Sequence, residues 1–369
     1  MNKLRTISVK TQVRRLRYFT RFIEILEGNG LRAQILCQRI LKWSEESHDN
    51  LLSYPSQSGE IVLKKGKIKS QSFQNYLDAS IKFKIINEER GFVKVTRMGR
   101  VLETLLRLNR ENKQVLNDYR LTAVEKFFFL YLILHRDADW FITLQEILME
   151  KPGEHLYFYT GNFQEFYLKR LKAKMKLVSP IAGIKVNQAL QRVMQWRIPN
   201  RYCEHIVPSR LNWLLDLGLI SEELFFKGKK YKLNHLGEML YKSLRDLDSG
   251  MKDIDDAWIY KNMQVLWGLY IESNKLITWA RLSNIEKDEL LMESIFHARK
   301  NFSVLNLPRL SLSQTLLFTS LYLISKHKVQ TAFNDIINHI GFEKKIKNVK
   351  IGIRRSERPE ESYIWITNG

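Results

Sequence analysis

The sequence predicts a mainly α-helical protein with small β-hairpins, built from units repeated in tandem. Three observations carry this. Apolar residues recur at helical spacing along much of the chain, as at Phe73, Leu77 and Ile81. Short stretches alternate apolar with charged residues on either side of polar turns, which is the pattern of small hairpins. The arrangement also repeats: a constant offset of 134 residues carries Phe73, Leu77, Ile81, Phe83, Ile85 and Ile86 onto Val207, Leu211, Leu215, Leu217, Leu219 and Ile220, all apolar.

Residues 1–30 read as a basic arm and a helix. Lys3, Arg5, Lys10, Arg14, Arg15 and Arg17 stand there without an acidic residue between Met1 and Arg17, and Gln12 to Leu26 is amphipathic. In residues 31–112, a helix is expected over Ala33 to Trp43 and a second over Ser70 to Phe83, preceded by Lys64, Lys65, Lys67 and Lys69. A polar turn, Asn87 to Gly91, then leads into Phe92 to Val95, a returning strand, and Thr96 is placed to cap the next helix. In residues 113–250, helices are expected over Thr122 to His135, Thr143 to Leu148 and Pro208 to Leu217, with Pro208 in the first turn of the last. Lys227 to Lys230 form the turn, Tyr231 to Leu233 the returning strand, and Asn234 the cap. The cap offset is 138, so the second hairpin is four residues longer, at a tip where length is tolerated.

Residues 251–369 read as a helical domain with a third unit of the same kind at its end. Trp258, Trp267, Tyr270 and Trp279 suit core or interface anchors better than stacking platforms. Asp246, Asp248, Asp253, Asp255 and Asp256 lack the spacing of a calcium loop and read as a solvated linker. Leu312 to Ser325 and Thr331 to Ile340 are periodic enough for two helices. Val349 to Ile353 and Tyr363 to Thr367 alternate like paired strands around a turn holding Arg354, Arg355 and Arg358.

The 369 residues allow two or three domains at about 150 residues each. Sixty Lys and Arg against 39 Asp and Glu leave a net charge of +21, which suits a polyanionic partner. The longest apolar run, Phe127 to Leu134, is far short of the ~20 residues of a membrane span, and the N-terminus has no secretory pattern. Cys37 and Cys203 alone make neither a disulfide framework nor a four-cysteine zinc site. The expectation is a soluble, cytoplasmic protein with no membrane partner.

A helix, a short strand, a hairpin and then a Thr-x-x-Gly or Asn-x-x-Gly helix start resembles the second half of a winged-helix domain, over Ser70 to Leu105 and again over Ile206 to Leu244. The resemblance implies that the helix before each hairpin enters a DNA major groove and that the hairpin acts as the wing. Gln71, Gln74, Asn75 and Lys82 would then face bases and phosphates in the first copy, and Ser209, Arg210 and Asn212 in the second. Arg14, Arg15, Arg17, the Lys64 to Lys69 group, Lys227, Lys229, Lys230, Arg354, Arg355 and Arg358 would hold the backbone. Each basic run also has a plainer reading as a solvated face, and each wing as a protein-packing module.

No phosphate-cradling glycine loop is present. His135, Arg136 and Asp137 superficially match a kinase catalytic loop, but the other kinase motifs are missing. A metal held by His135, Asp137 and Asp139 is disfavoured, because polar residues after an apolar run simply end a helix. Asp335, Glu343 and Lys345 come closest to a magnesium-dependent nuclease centre. No catalytic site stands out and no cofactor is expected. The expectation is a non-enzymatic double-stranded DNA-binding protein, a recognition or sensing subunit that also contacts other protein subunits. In architecture it resembles plasmid replication initiators, recognition regions of type IIS restriction endonucleases, or DNA-sensing subunits of defence and mobile-element machines. The alternatives are a restriction-type nuclease and a winged-helix scaffold for other proteins.

Overall fold

The computed structural model describes residues 4–11, 13–27, 30–46, 63–64, 67–68, 70–111, 120–226, 228–244, 270, 276–302, 309–356 and 361–368. Lys65, Lys69, Lys227 and Arg358, the aspartates of 246–256, Trp258 and Trp267 lie outside them. The fold is mainly helical. Its helices are α1 (Arg17–Leu26), α2 (Ala33–Glu46), α3 (Ser70–Lys82), α4 (Arg97–Glu111), α5 (Ala123–Arg136), α6 (Ala138–Glu150), α7 (Leu156–Met175), α8 (Pro180–Met194), α9 (Pro199–Asp216), α10 (His235–Leu244), α11 (Asn284–Phe302), α12 (Leu312–Tyr322) and α13 (Phe333–Ile340). Strands are short: β1 (Leu31–Arg32), β2 (Leu63–Lys64), β3 (Lys67–Ile68), β4 (Ile86–Glu89), β5 (Phe92–Val95), β6 (Glu154–His155), β7 (Ile220–Phe225), β8 (Gly228–Leu233), β9 (Ile277–Thr278), β10 (Arg309–Ser311), β11 (Val329–Gln330), β12 (Glu343–Ile346), β13 (Val349–Arg354) and β14 (Tyr363–Asn368). No helix among the described residues is long and apolar enough to cross a membrane.

The chain forms two compact units that are not consecutive in sequence. The first comprises Met1–Ile25, Leu31–Phe83 and Leu116–Ile259; the second comprises Leu26–Gly30, Lys84–Val115 and Tyr260–Gly369. Residues 31–112 therefore contribute to both. In the first unit α7 is the central helix, with α6, α8 and α9 packed on it. Helix α5 starts with a reciprocal capping box, Glu125 N–H to Thr122 Oγ1 at 3.2 Å and Thr122 N–H to Glu125 Oε2 at 2.8 Å. Phe127 to Leu134 are buried on every side of this helix, which makes it the core rod that a continuous apolar run calls for. Tyr18, Phe19, Tyr76, Phe83 and Trp213 build an aromatic cluster with ring centroids 4.7–5.8 Å apart.

In the second unit α4, α11 and α12 pack together, and α12 and α13 cover one face of the antiparallel sheet β10-β14-β13-β12. The two helices and the strand pair expected near the C-terminus are present as α12, α13, β13 and β14; β10 and β12 were not anticipated. Strands β13 and β14 pair from Val349↔Asn368 to Arg354↔Tyr363, and β10 adds Leu310↔Ile364.

The repeat holds bond by bond. Lys84 and Gly218, 134 residues apart, both take a left-handed backbone, with φ of 59° and 69°. Thr96 Oγ1 donates to Lys84 O at 2.6 Å, and Asn234 Nδ2 donates to Gly218 O at 2.9 Å. The same two side chains cap the following helices: Thr96 Oγ1 accepts from Gly99 N–H at 3.1 Å, and Asn234 Oδ1 from Gly237 N–H at 3.0 Å. Thr96 N–H to Ile85 O and Asn234 N–H to Leu219 O complete the match, at 3.0 and 3.1 Å. A Cβ at Gly237 would overlap the Leu219 carbonyl, which explains the glycine of the Asn-x-x-Gly start. Gly237→Ala is expected to destabilise the first unit by about 1–3 kcal/mol, the usual cost of overpacking. A urea midpoint unchanged from the parent would contradict this close approach.

Candidate nucleic-acid interface

The expected N-terminal DNA arm is a strap built into the first unit. Its amides are held by buried carboxylates: Arg5 N–H on Asp139 Oδ2 at 2.7 Å, Ile7 N–H on Asp137 Oδ1 at 2.9 Å and Leu16 N–H on Asp216 Oδ2 at 2.7 Å. Tyr76 Oη accepts from the N–H groups of Arg14 and Arg15, and Trp213 Nε1 donates to Val13 O at 3.1 Å. Arg15 is 1% exposed and its guanidinium lies 3.4 Å from Asp216, while Arg17 sits 2.6 Å from Glu125. Both are corrected from phosphate contacts to internal ion pairs. Arg14 stays half-buried at the surface of the unit.

Asp137 and Asp139, read in the sequence as a helix-ending pair, anchor this strap to three helices. Asp137 takes Arg210 through both oxygens, with Nε at 2.8 Å and Nη2 at 3.0 Å. Asp139 takes Lys174 Nζ at 2.9 and 3.0 Å and Arg170 Nε at 3.3 Å. Every one of these side chains is at most 4% exposed. The only sequence signal for this network was acidic residues placed beside a run that had to be buried.

The expected recognition helices change accordingly. Helix α9 begins at Pro199, so Pro208 lies inside it rather than in its first turn. A proline there leaves the Glu204 carbonyl without its helical N–H, and the strap fills the gap: Thr11 Oγ1 donates to Glu204 O at 3.2 Å. Ser209, Arg210 and Asn212 are buried, donating to Lys10 O, to Asp137 and to Pro208 O respectively, so none of them faces a duplex. In α3, Asn75 is 3% exposed and turns into the core with Tyr76 and Leu77. The exposed stripe holds Gln74, Asp78 and Lys82; Gln74 donates to Asp78 at 2.8 Å and Lys82 to Ser8 O at 2.5 Å. Gln71 falls within α3, and Lys64 and Lys67 pair across β2 and β3; their side chains lie outside the description.

The second hairpin is charged along its length and apolar at its tip. Lys229 pairs with Glu222 at 2.9 Å and Lys232 with Glu223 at 2.5 Å, and Lys230 lies over the Phe225 ring at 4.5 Å. Leu224 and Phe226 are 84% and 110% exposed. The apolar run Leu224 to Phe226 does not reveal in sequence that it stands exposed at a hairpin tip.

The C-terminal sheet turns Ile346, Ile351, Ile353, Ile364 and Ile366 into the core, so the other side of each strand faces outward. That side carries Arg309, Lys345, Lys350 and Arg354, all exposed, around half-buried Tyr363 and Trp365. The Arg309 guanidinium lies 4.8 Å from the Tyr363 ring centre. A Cβ at Gly352 would overlap the Trp365 indole, so the glycine lets the ring lie across β13. Lys350 is matched by Glu343 at 3.3 Å; Lys345, Arg354 and Arg355 have no acidic partner among the described residues. Two of the predicted phosphate contacts, Arg354 and Arg355, are thus exposed, and Arg354 lies across from Tyr363.

Asp335 accepts from the Ala332 N–H at the start of α13, and Glu343 faces Lys350, so each carboxylate already has a partner other than a metal. Among the described residues no group of three or more His, Cys, Asp or Glu is placed to hold a metal ion. Comparison with protein-family models, curated proteins and solved structures finds no match to this chain.

Proposed function

We propose that the protein binds double-stranded DNA through winged-helix-like units, gripping the phosphates with hairpins and the outward face of the C-terminal sheet rather than with deeply inserted helices. The observation that carries this reading is the sheet face, where Lys345 and Arg354 have no acidic partner among the described residues and stand with Arg309, Tyr363 and Trp365, while exposed Arg355 follows directly after β13. Unneutralised surface cations in a chain of +21 are what counterion release requires. The strand orders β6-β8-β7 and β10-β14-β13 support the winged-helix part, since in each a short strand preceding the helices joins the hairpin on its returning strand. The buried states of Ser209, Arg210 and Asn212 shift base reading away from α9, so modest sequence preference is expected.

Fluorescence anisotropy on a random duplex tests this. With six or more phosphates contacted, affinity should fall about 10³-fold between about 50 and 200 mM salt. A flat salt response, or no binding at the low end, defeats the proposal. The exposed tip Leu224 to Phe226 favours a second reading, in which the second hairpin docks on another protein subunit. Phe226→Ser would then abolish a subunit contact while leaving the salt slope on DNA intact.

A further inference from the structure

The first unit contains a cavity of about 620 Å³, within the range that holds small ligands. Its walls come from the strap, the start of α7, the middle of α9 and the returning strand β8, through Arg14, His155, Tyr157, His205, Lys229 and Tyr231. We propose that it binds a nucleotide, a phosphate ester carrying a base, supplied either free or as the end of a strand.

The anion is argued from Arg14. Its Nε donates to Thr11 O at 2.8 Å, and no carboxylate lies beside the guanidinium among the described residues. Burial lowers its pKa, so the charge sits in the wall at a cost that an anionic ligand would offset. Lys229 adds a second cation, tethered by Glu222.

Both imidazoles are oriented by the protein. His155 Nδ1 lies 3.1 Å from Lys229 O, so it must donate, leaving Nε2 for a ligand. Thr11 Oγ1 gives its proton to Glu204 O, so at 2.7 Å it accepts from His205 Nδ1, which again leaves Nε2. At the same wall α7 begins with His155 in the cap position and no side-chain cap, so its first amides add to the positive character there.

The base is argued from volume and from aromatic surface. A bare phosphate would leave most of 620 Å³ empty, whereas Tyr157, 76% exposed, offers a ring for stacking in a wall that also includes Tyr231. Among the described residues Glu204 is the one carboxylate in the wall; it is exposed and suits a sugar hydroxyl rather than a metal.

Isothermal titration of the full chain with dAMP, inorganic phosphate and a trinucleotide with or without a 5′-phosphate tests the assignment. The expected result is binding of dAMP or the phosphorylated trinucleotide at least about tenfold tighter than phosphate alone, weakened at least about tenfold by Arg14→Ala. Tyr157→Ala should weaken it as well, and this side chain is exposed, so melting should not change. A preference for the phosphorylated trinucleotide over both dAMP and the 5′-hydroxyl form identifies a strand end; equal or better binding of dAMP identifies a free nucleotide. If neither binds at millimolar concentration, or both variants bind as the parent does, the assignment is wrong. Arg14 and Tyr157 line the cavity of the first unit and are not part of the C-terminal sheet, so a loss of binding in these variants is distinguishable from the duplex measurement.

Discussion

Asp137→Ala is expected to lower the melting temperature of the first unit by roughly 6–20 °C. The substitution leaves the Arg210 guanidinium, 0% exposed, without the carboxylate that takes its Nε and Nη2, and strips the Ile7 amide of its acceptor. Breaking a buried pair from one side costs about 3–5 kcal/mol, and a domain of this size loses roughly 2–4 °C per kcal/mol. Removing both charges, as in the pair Asp137→Leu with Arg210→Met, should recover much of the loss, because the uncompensated cation is then gone. Neighbouring Asp139 adds a pH dependence. Burial pushes its pKa up, but Lys174 and Arg170 outweigh that and hold it below the ordinary 3.8. A carboxylate whose folded pKa is depressed contributes stability that is present above 3.8 and lost as pH falls through the folded value. Acid titration followed by near-ultraviolet circular dichroism should therefore show an acid limb that Asp139→Asn flattens. An Asp137→Ala protein that melts like the parent would mean that the strap is not held as described.

What was legible in the sequence was local. The repeat could be read because its determinants, apolar spacing and a Thr or Asn cap three residues before a glycine, lie within a few turns of one another, and the hydrogen bonds of Thr96 and Asn234 follow them. The C-terminal strand pair could be read because Val349 to Arg354 and Tyr363 to Asn368 alternate with period two. The strap was not legible. Arg5 meets Asp139, and Leu16 meets Asp216, across most of a domain's length of chain, and no periodicity links such partners. Six basic residues without an acidic neighbour look like a nucleic-acid arm until Arg15 and Arg17 meet Asp216 and Glu125 from distant helices. The same tertiary fact misplaced the start of α9: Pro208 is tolerated inside the helix because Thr11, from the strap, supplies the donor that proline lacks. Once α9 is longer and lies under the strap, Ser209, Arg210 and Asn212 have to face inward. The Leu224 to Phe226 tip was visible as an apolar run, but its exposure depends on where the hairpin ends relative to the body of its unit.

The sheet face of the second unit is where the proposed DNA reading makes its largest quantitative demand. Each phosphate contact contributes about 0.9 to the slope of log affinity against log salt, so a double reversal, Lys345→Glu with Arg354→Glu, should lower the slope by about 2. At 0.1 M salt, one decade below the 1 M reference, the same arithmetic gives about 1.8 logarithmic units, roughly a 60-fold loss. Folding should be little affected, because both side chains are exposed and neither has an acidic partner among the described residues. The net-charge change alone must be separated from the location. Lys185→Glu with Arg192→Glu, exposed on α8 in the first unit, makes an identical change in total charge. A located interface predicts that this control retains the parent's slope, since only contacts that release counterions enter it. Equal losses in the two double variants would reduce the proposal to diffuse attraction by a +21 surface, and the outward face of β12, β13 and β14 would lose its standing as the grip.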